Sequence, residues 1–493
     1  MSIATRALRR EAKGRSVMAA LAFALGLAIT MQVVFSDLDP IGAVALGAVL
    51  ASMALAAWRP ALGALVLLAL FSDVLYFGTY GVSLPVGQLV PADVLLVGWW
   101  TLTVLAVLWH PEGILIPSSL TRCVTVLYPA LLAFYFVYTS LSFGPGLSEM
   151  LRSARPFLYL TLFVPLAFWL RAAGAIEELM RVALIAALCA VALQLLIYTA
   201  GVDVTPFGLF YEWQVWRHAF EGFDRSNQPF FGLNLILAGG CLTLALRKGP
   251  RLARLGWAAC VGALLISALI SFGRGFWAGM LVACATAVAI ESRRRRSLSA
   301  PALAAAGIVV FLALGAMAGL AGIDLSALGG AVVDRGALGA SSIRYLEGTL
   351  GDRYDNINRA LIQEHPLLGI GFYLGLGTAA DIDLADTGHN LYADLMLRMG
   401  VVGLLFFTAM LLVFLNRCRL ALSFDLPWHH RAAVVGCLGA ALGNSVWGIS
   451  SSHIIYRRGM LELALIMAVV EILIHLAEQR SGDPRRPAAA EPA

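Results

Sequence analysis

Charge is what this sequence has least of. Only 13% of its 493 residues are Asp, Glu, Lys or Arg, while 60% are hydrophobic. A soluble chain of this length carries about twice that charged fraction, so a water-soluble globular enzyme is excluded. Lysine is almost missing, and arginine supplies nearly all of the 35 basic residues. Cysteine is sparse: Cys123, Cys189, Cys241, Cys260, Cys284, Cys418 and Cys437 show no metal-ligand spacing, and none falls where an oxidising outer compartment would pair them. A Walker loop, a dinucleotide fingerprint, a nucleophile elbow and a zinc motif are all lacking. Nucleotide-driven and nicotinamide-dependent chemistry therefore has no sequence support, and no cofactor, metal or nucleic-acid partner is expected. No internal repeat is visible, which withholds the main pointer to a secondary transporter.

What is present is apolar sequence in runs of about 17–23 residues, each long enough to cross a hydrocarbon core of about 30 Å. The expected fold is all-α, a polytopic integral membrane protein with about 14 transmembrane helices. The expected spans are 17–35, 41–58, 61–77, 92–109, 122–141, 155–170, 179–200, 230–246, 255–272, 276–290, 301–320, 390–414, 432–450 and 459–477. The basic start (Arg6, Arg9, Arg10, Lys13, Arg15) precedes an apolar run with no small-residue cleavage site, which reads as an uncleaved first span. With this end inside, the clusters at Arg247–Arg254, Arg293–Arg296, Arg417–Arg431 and Arg480–Arg486 all fall on the same side. Positive-inside bias thus predicts an N-in, C-in arrangement.

The chain then divides into a basic N-terminus (1–16), N-terminal helices (17–200), and helices with an outer arginine loop and a tight hairpin (201–320). A large outer loop carrying short helices (321–388), C-terminal helices (389–477) and a tail (478–493) follow.

The polar stretch Ala321–Gly388 is the largest place where this chain can build a water-facing site, and it ends in His389-Asn390 at the mouth of a span. Imidazole can take a proton from a hydroxyl near neutral pH; a histidine that only hydrogen-bonds its own loop is the competing reading. Arginines break the orientation bias on the outer side, among them Arg155, Arg217, Arg225, Arg274 and Arg353. Guanidinium forks bind phosphate oxygens bidentately and stay charged at any working pH, so the set suits a lipid-borne phosphate. Pairing with loop acids or lipid headgroups is the alternative. Arg274 lies in Ser271-Phe272-Gly273-Arg274-Gly275-Phe276-Trp277, a hairpin with almost no loop, which holds its charge at the membrane surface. Arg217 and Arg225 sit among Trp, Phe, His and amide side chains, a mixture that suits sugars and phosphate. A helix over 351–364 is expected to stop at His365-Pro366 and to be followed by an apolar turn, Leu367–Phe372, dipping back toward the membrane. Asp394 and Arg398, four apart, are expected to pair on one helix face.

Three blocks together resemble the O-antigen ligase and O-antigen polymerase superfamily of bacterial surface-polysaccharide assembly. They are the Arg274 hairpin, the Pro366-Leu367-Leu368-Gly369-Ile370-Gly371 turn, and His389-Asn390-Leu391-Tyr392 running on to Met399-Gly400. The resemblance covers about residues 215–415 and implies metal-independent, inverting glycosyl transfer on the periplasmic face of the bacterial inner membrane. The donor it implies is an undecaprenyl-diphosphate-linked oligosaccharide, and the acceptor is a growing glycan or lipid A–core. Membrane lipids and other polysaccharide-assembly proteins are the implied neighbours. It further implies that Arg217, Arg274 and Arg353 hold the diphosphate, that His389 activates the acceptor hydroxyl, and that Asn390, Tyr392 and Arg225 support them. Polymerase and ligase are nearly equal readings, the span count leaning slightly toward a polymerase. From a different class, a transporter or flippase of lipid-linked saccharide is the alternative.

Overall fold

The computed structural model describes residues 53–55, 57–71, 82–84, 87–89, 91–109, 118–172, 174–200, 215–220, 223–226, 231–247, 249–271, 274–295, 361–373, 390–449, 451 and 457–481. The expected spans at 17–35 and 301–320, most of the one at 41–58 and most of the polar stretch lie outside these residues.

The helices are α1 (Pro60–Phe71), α2 (Pro91–Trp109), α3 (Ser119–Phe143), α4 (Leu147–Leu158), α5 (Phe163–Trp169), α6 (Ala175–Ala200), α7 (Phe231–Ala245), α8 (Arg251–Ile270), α9 (Arg274–Arg295), α10 (Leu391–Ser423), α11 (Trp428–Trp447) and α12 (Arg457–Ser481). Two short antiparallel hairpins accompany the helices: β1 (Val82–Leu84) with β2 (Gly87–Leu89), and β3 (Val215–Phe220) with β4 (Phe223–Ser226). Six described helical segments are long and apolar enough to cross a membrane: Ser119–Phe143, Ala175–Tyr198, Arg251–Ile270, Gly275–Arg293, Leu391–Ser423 and Arg458–Arg480.

Local chemistry sets the boundaries. Ser118 caps α3 by accepting from the Thr121 N–H at 2.9 Å. Pro129 cannot donate to the carbonyl four residues back, and just before it the ladder widens into a π turn over Cys123–Leu127. Gly144, at φ 64°, ends α3 in the left-handed conformation. The single span expected over 155–170 is instead broken. α4 ends just after Pro156, a 3-10 turn covers Tyr159–Leu162, and α5 contains Pro165. Each proline removes a backbone donor, so one continuous helix cannot form there.

α12 is the central helix, with 83% of its most apolar window buried. α11 is pressed between α7 and α9 by glycines on its faces. A Cβ on Gly436 would stand 2.3 Å from the Ile236 carbonyl oxygen, and one on Gly443 would stand 2.5 Å from that of Gly279. Packing of this kind replaces the hydrophobic effect as the adhesive between helices in lipid. Two ion pairs lie inside the bundle. Arg417 on α10 grips Glu471 on α12 with bonds of 2.6 and 2.8 Å, and Arg431 on α11 meets Glu291 on α9 at 3.0 Å.

These contacts sort the helix ends. The start of α11 lies against the start of α6 and the end of α9, and Arg247, just past α7, stacks over Trp428. Basic residues that charge bias assigns to one side of the membrane therefore gather at one end of the bundle. The start of α10 and the end of α11 lie at the other.

Candidate active site

At that other end, Asn390 caps α10: its side-chain oxygen accepts from the N–H groups of Tyr392 at 2.9 Å and Ala393 at 3.2 Å. A side-chain amide before an apolar run is a strong helix start. The first turn of α10 is then tied to the end of α11. The Leu391 N–H donates to the Gly448 carbonyl at 2.8 Å, and the Tyr392 hydroxyl donates to the Ser445 carbonyl at 2.7 Å.

The same end of α11 meets the hairpin block. Phe276, in the first turn of α9, packs on Trp447 with ring centroids 5.1 Å apart. The indole of Trp277 donates back across the hairpin to the Ala268 carbonyl at 2.7 Å. The backbone of Arg274 and the Asn390–Tyr392 turn therefore flank one helix end, although they are far apart in sequence. The β3–β4 hairpin carries Arg217 and Arg225, with Trp216 paired to Arg225 across the strands, and it lies beside α6. The side chains of Arg217, Arg225 and Arg274 are not among those described, and His389 and Arg353 lie outside the described residues altogether.

The third block does its work through the backbone. α10 breaks at Gly400, which sits at φ 58°, ψ −161°, a region essentially reserved for glycine. The break frees helical carbonyls and N–H groups within an apolar bundle, where each would be costly if unpaired. The turn after His365 satisfies them. Ile370 N–H donates to the Leu397 carbonyl and Gly371 N–H to that of Arg398, both at 2.8 Å. In return, Val401 N–H donates to Pro366 O at 2.9 Å and Val402 N–H to Leu367 O at 3.2 Å. The Tyr135 hydroxyl takes the Met399 carbonyl. On its far side the turn is held by α3: Tyr138 donates to the Gly369 carbonyl at 3.0 Å, and Phe372 N–H donates to Thr139 Oγ1 at 2.9 Å. Leu361–Glu364 is helical and ends at His365-Pro366, as the sequence predicts.

Arg398 donates to the Oγ of Ser153 at 3.0 Å and to its carbonyl at 3.3 Å, which ties α10 to α4. Arg155 pairs with Asp93 at 3.2 Å, and Tyr159 shares that carboxylate at 3.0 Å. Arg155 thus fits the loop-acid reading rather than an anion site. Tyr135, Tyr138, Thr139 and Ser153 are contributors that the sequence did not single out. The aromatic density of Phe134-Tyr135-Phe136-Val137-Tyr138 was the one available signal.

Directly against the Leu391–Tyr392 turn opens an apolar groove between α10, α11 and α12. Leu395, Phe407, Met410, Leu463, Ile466 and Met467 line it, and Tyr392, Asn444 and Ser445 supply the polar groups at its mouth. Ligand sites commonly pair such apolar volume with a few convergent polar groups.

Helices of this length and composition define a polytopic helical membrane protein. Residues 259–408 match the family described as O-Antigen ligase. This region contains all three sequence blocks, and the match supports the O-antigen ligase/polymerase superfamily. No curated protein is significantly similar to the chain.

Proposed function

We propose that the protein transfers a glycan from an undecaprenyl-diphosphate donor to a hydroxyl acceptor at the periplasmic face of the inner membrane. The observation that carries this reading is the convergence of the Arg274 hairpin and the Asn390–Tyr392 turn on the end of α11, beside an apolar groove. A lipid-linked sugar diphosphate needs that combination: cationic groups at the membrane surface, a polar turn next to them and apolar volume below.

In this reading Arg274, Arg217 and Arg353 hold the diphosphate and offset the negative charge that grows on it as the anomeric C–O bond breaks. Guanidinium groups do this without a metal ion. His389, immediately before the Asn390 cap, takes the proton from the acceptor hydroxyl as that oxygen attacks the anomeric carbon. One displacement inverts the configuration, and undecaprenyl diphosphate leaves. The tie of Leu391 and Tyr392 to α11 supports the reading because it fixes the backbone next to the base, and such positioning is a large part of bimolecular catalysis. Arg225 would act beside Arg217 on its hairpin.

Purified protein in liposomes with a short undecaprenyl-diphosphate oligosaccharide tests this. Free undecaprenyl diphosphate and an elongated or relocated glycan are the expected products. Movement of intact lipid across the bilayer without either product would overturn it in favour of a flippase. Polysaccharide ladders from a deletion strain then separate the two enzyme readings. A single repeat retained on lipid A means polymerase, and loss of all glycan from lipid A means ligase.

A further inference from the structure

At the bundle end remote from Asn390, three ligand-type side chains from two helices meet. Glu177 lies in the first turn of α6, and His429 and His430 lie in the first turn of α11. His429 Nε2 is 2.6 Å from Glu177 Oε1, and His430 Nε2 is 3.3 Å from the same oxygen. The ligand atoms of all three lie within 4.8 Å of one another. We propose that Glu177, His429 and His430 bind one divalent cation of the zinc type, clamping α6 to α11.

Two features separate this cluster from a simple interhelical hydrogen bond. Consecutive residues on a helix point about 100° apart, yet both imidazoles turn toward one carboxylate oxygen, with ring centroids 4.4 Å apart. One ring would suffice for a hydrogen bond. His430 is also only 4% exposed, so its ring is held in place, and the nitrogen aimed at the carboxylate is Nε2.

The chemistry and dimensions agree. Two imidazoles and a carboxylate form a known three-ligand set for zinc, with bonds of about 2.0–2.2 Å, which places tetrahedral ligand atoms about 3.4 Å apart. The 3.3 Å separation already matches, and the 2.6 Å one needs to open by less than an ångström. Glu177, with 43% of its side chain exposed, can make that adjustment and leaves water access to a fourth position. Glu177 is 252 residues from His429, so no sequence spacing could disclose the set. The site is independent of the proposed transfer reaction. Its mechanical consequence reaches that end through α11, whose far end receives Leu391 and Tyr392, and through α6, which lies beside the β3–β4 hairpin.

The test uses full-length protein with any polyhistidine tag removed and metals stripped by a chelator. Zinc titration against a chromophoric competitor should show one ion per chain. Glu177→Gln and His429→Ala should weaken binding at least tenfold, as even loss of a group that merely supports a metal ligand costs 10–100-fold. Cobalt(II) should give tetrahedral d–d bands in the wild type. In His429→Cys, which keeps a ligand and so does not depend on a deletion that unfolds the chain, a thiolate-to-cobalt charge-transfer band should appear. Less than one ion per chain, equal affinity in His429→Ala, or no new band in folded His429→Cys would each overturn the site.

Discussion

Replacing Gly400 with alanine probes the seam that joins the turn after His365 to the broken helix α10. At φ 58°, ψ −161° an L side chain is strained, at a cost of about 1–3 kcal/mol. The added Cβ would also stand 2.3 Å from both the carbonyl carbon and oxygen of Leu367 and 2.5 Å from Leu368 N. These are backbone atoms, so no side chain can swing aside. Overpacking of this kind costs about 1–3 kcal/mol more, giving about 2–6 kcal/mol in total. Relief requires the turn to move off Val401 and Val402, which would release the hydrogen bonds that knit the two segments. The outer turn of α10 would then shift, and a misplacement of about 1 Å near a reacting group costs about a hundredfold in rate. Denaturant unfolding in detergent and glycan transfer in liposomes should therefore both fall for Gly400→Ala. Gly256→Ala is the control, because a Cβ there meets nothing within 4 Å and alanine is the better helix former. If Gly400→Ala matched Gly256→Ala in both measurements, the seam would not position the site.

Other outcomes follow from single contacts. Tyr138→Phe should lower stability by about 1 kcal/mol by removing the bond to the Gly369 carbonyl, while Thr139→Val should cost about 1–3 kcal/mol because it leaves the buried Phe372 N–H unpaired; unfolding curves in detergent check both. Glu471→Gln leaves the nearly buried Arg417 without its counter-charge and should cost about 3–5 kcal/mol, whereas Arg417→Met with Glu471→Leu should restore most of it. Gly443→Val forces α11 away from Gly279 and should reduce the yield of folded protein on size exclusion, with no comparable loss for Gly249→Val, where nothing lies within 4 Å.

The sequence was most legible where one chemistry dominates. Apolar runs placed the helices from α6 to α12 within a few residues, because length and hydropathy decide membrane spans nearly alone, except that α10 runs on to Ser423, well past the expected end at 414. Proline punctuation located the stop at His365-Pro366, but the span expected over 155–170 failed because Pro156 and Pro165 break the backbone inside an apolar stretch. Asn390 was legible as a helix start. What Leu391 and Tyr392 after it tie to was not, since Gly448 and Ser445 lie more than fifty residues away and present only carbonyls. The glycines at 369, 371 and 400 read as a motif. Their reason appears only when two segments exchange backbone hydrogen bonds across a left-handed kink. Helical spacing offered Arg398 only Asp394 as a partner, so its bonds to Ser153, on a different helix, were not legible.

The central claim is that the end of α11 gathers a base and a diphosphate clamp around one reacting bond. Single-turnover glycan transfer from an undecaprenyl-diphosphate oligosaccharide, in liposomes containing wild type, His389→Ala or Arg274→Ala, tests it most directly. The account predicts that both variants fold and melt like the wild type, that His389→Ala loses about 10²–10⁴-fold in rate as expected for a general base, and that Arg274→Ala weakens donor binding as well as rate. Wild-type transfer rates in either folded variant would contradict it.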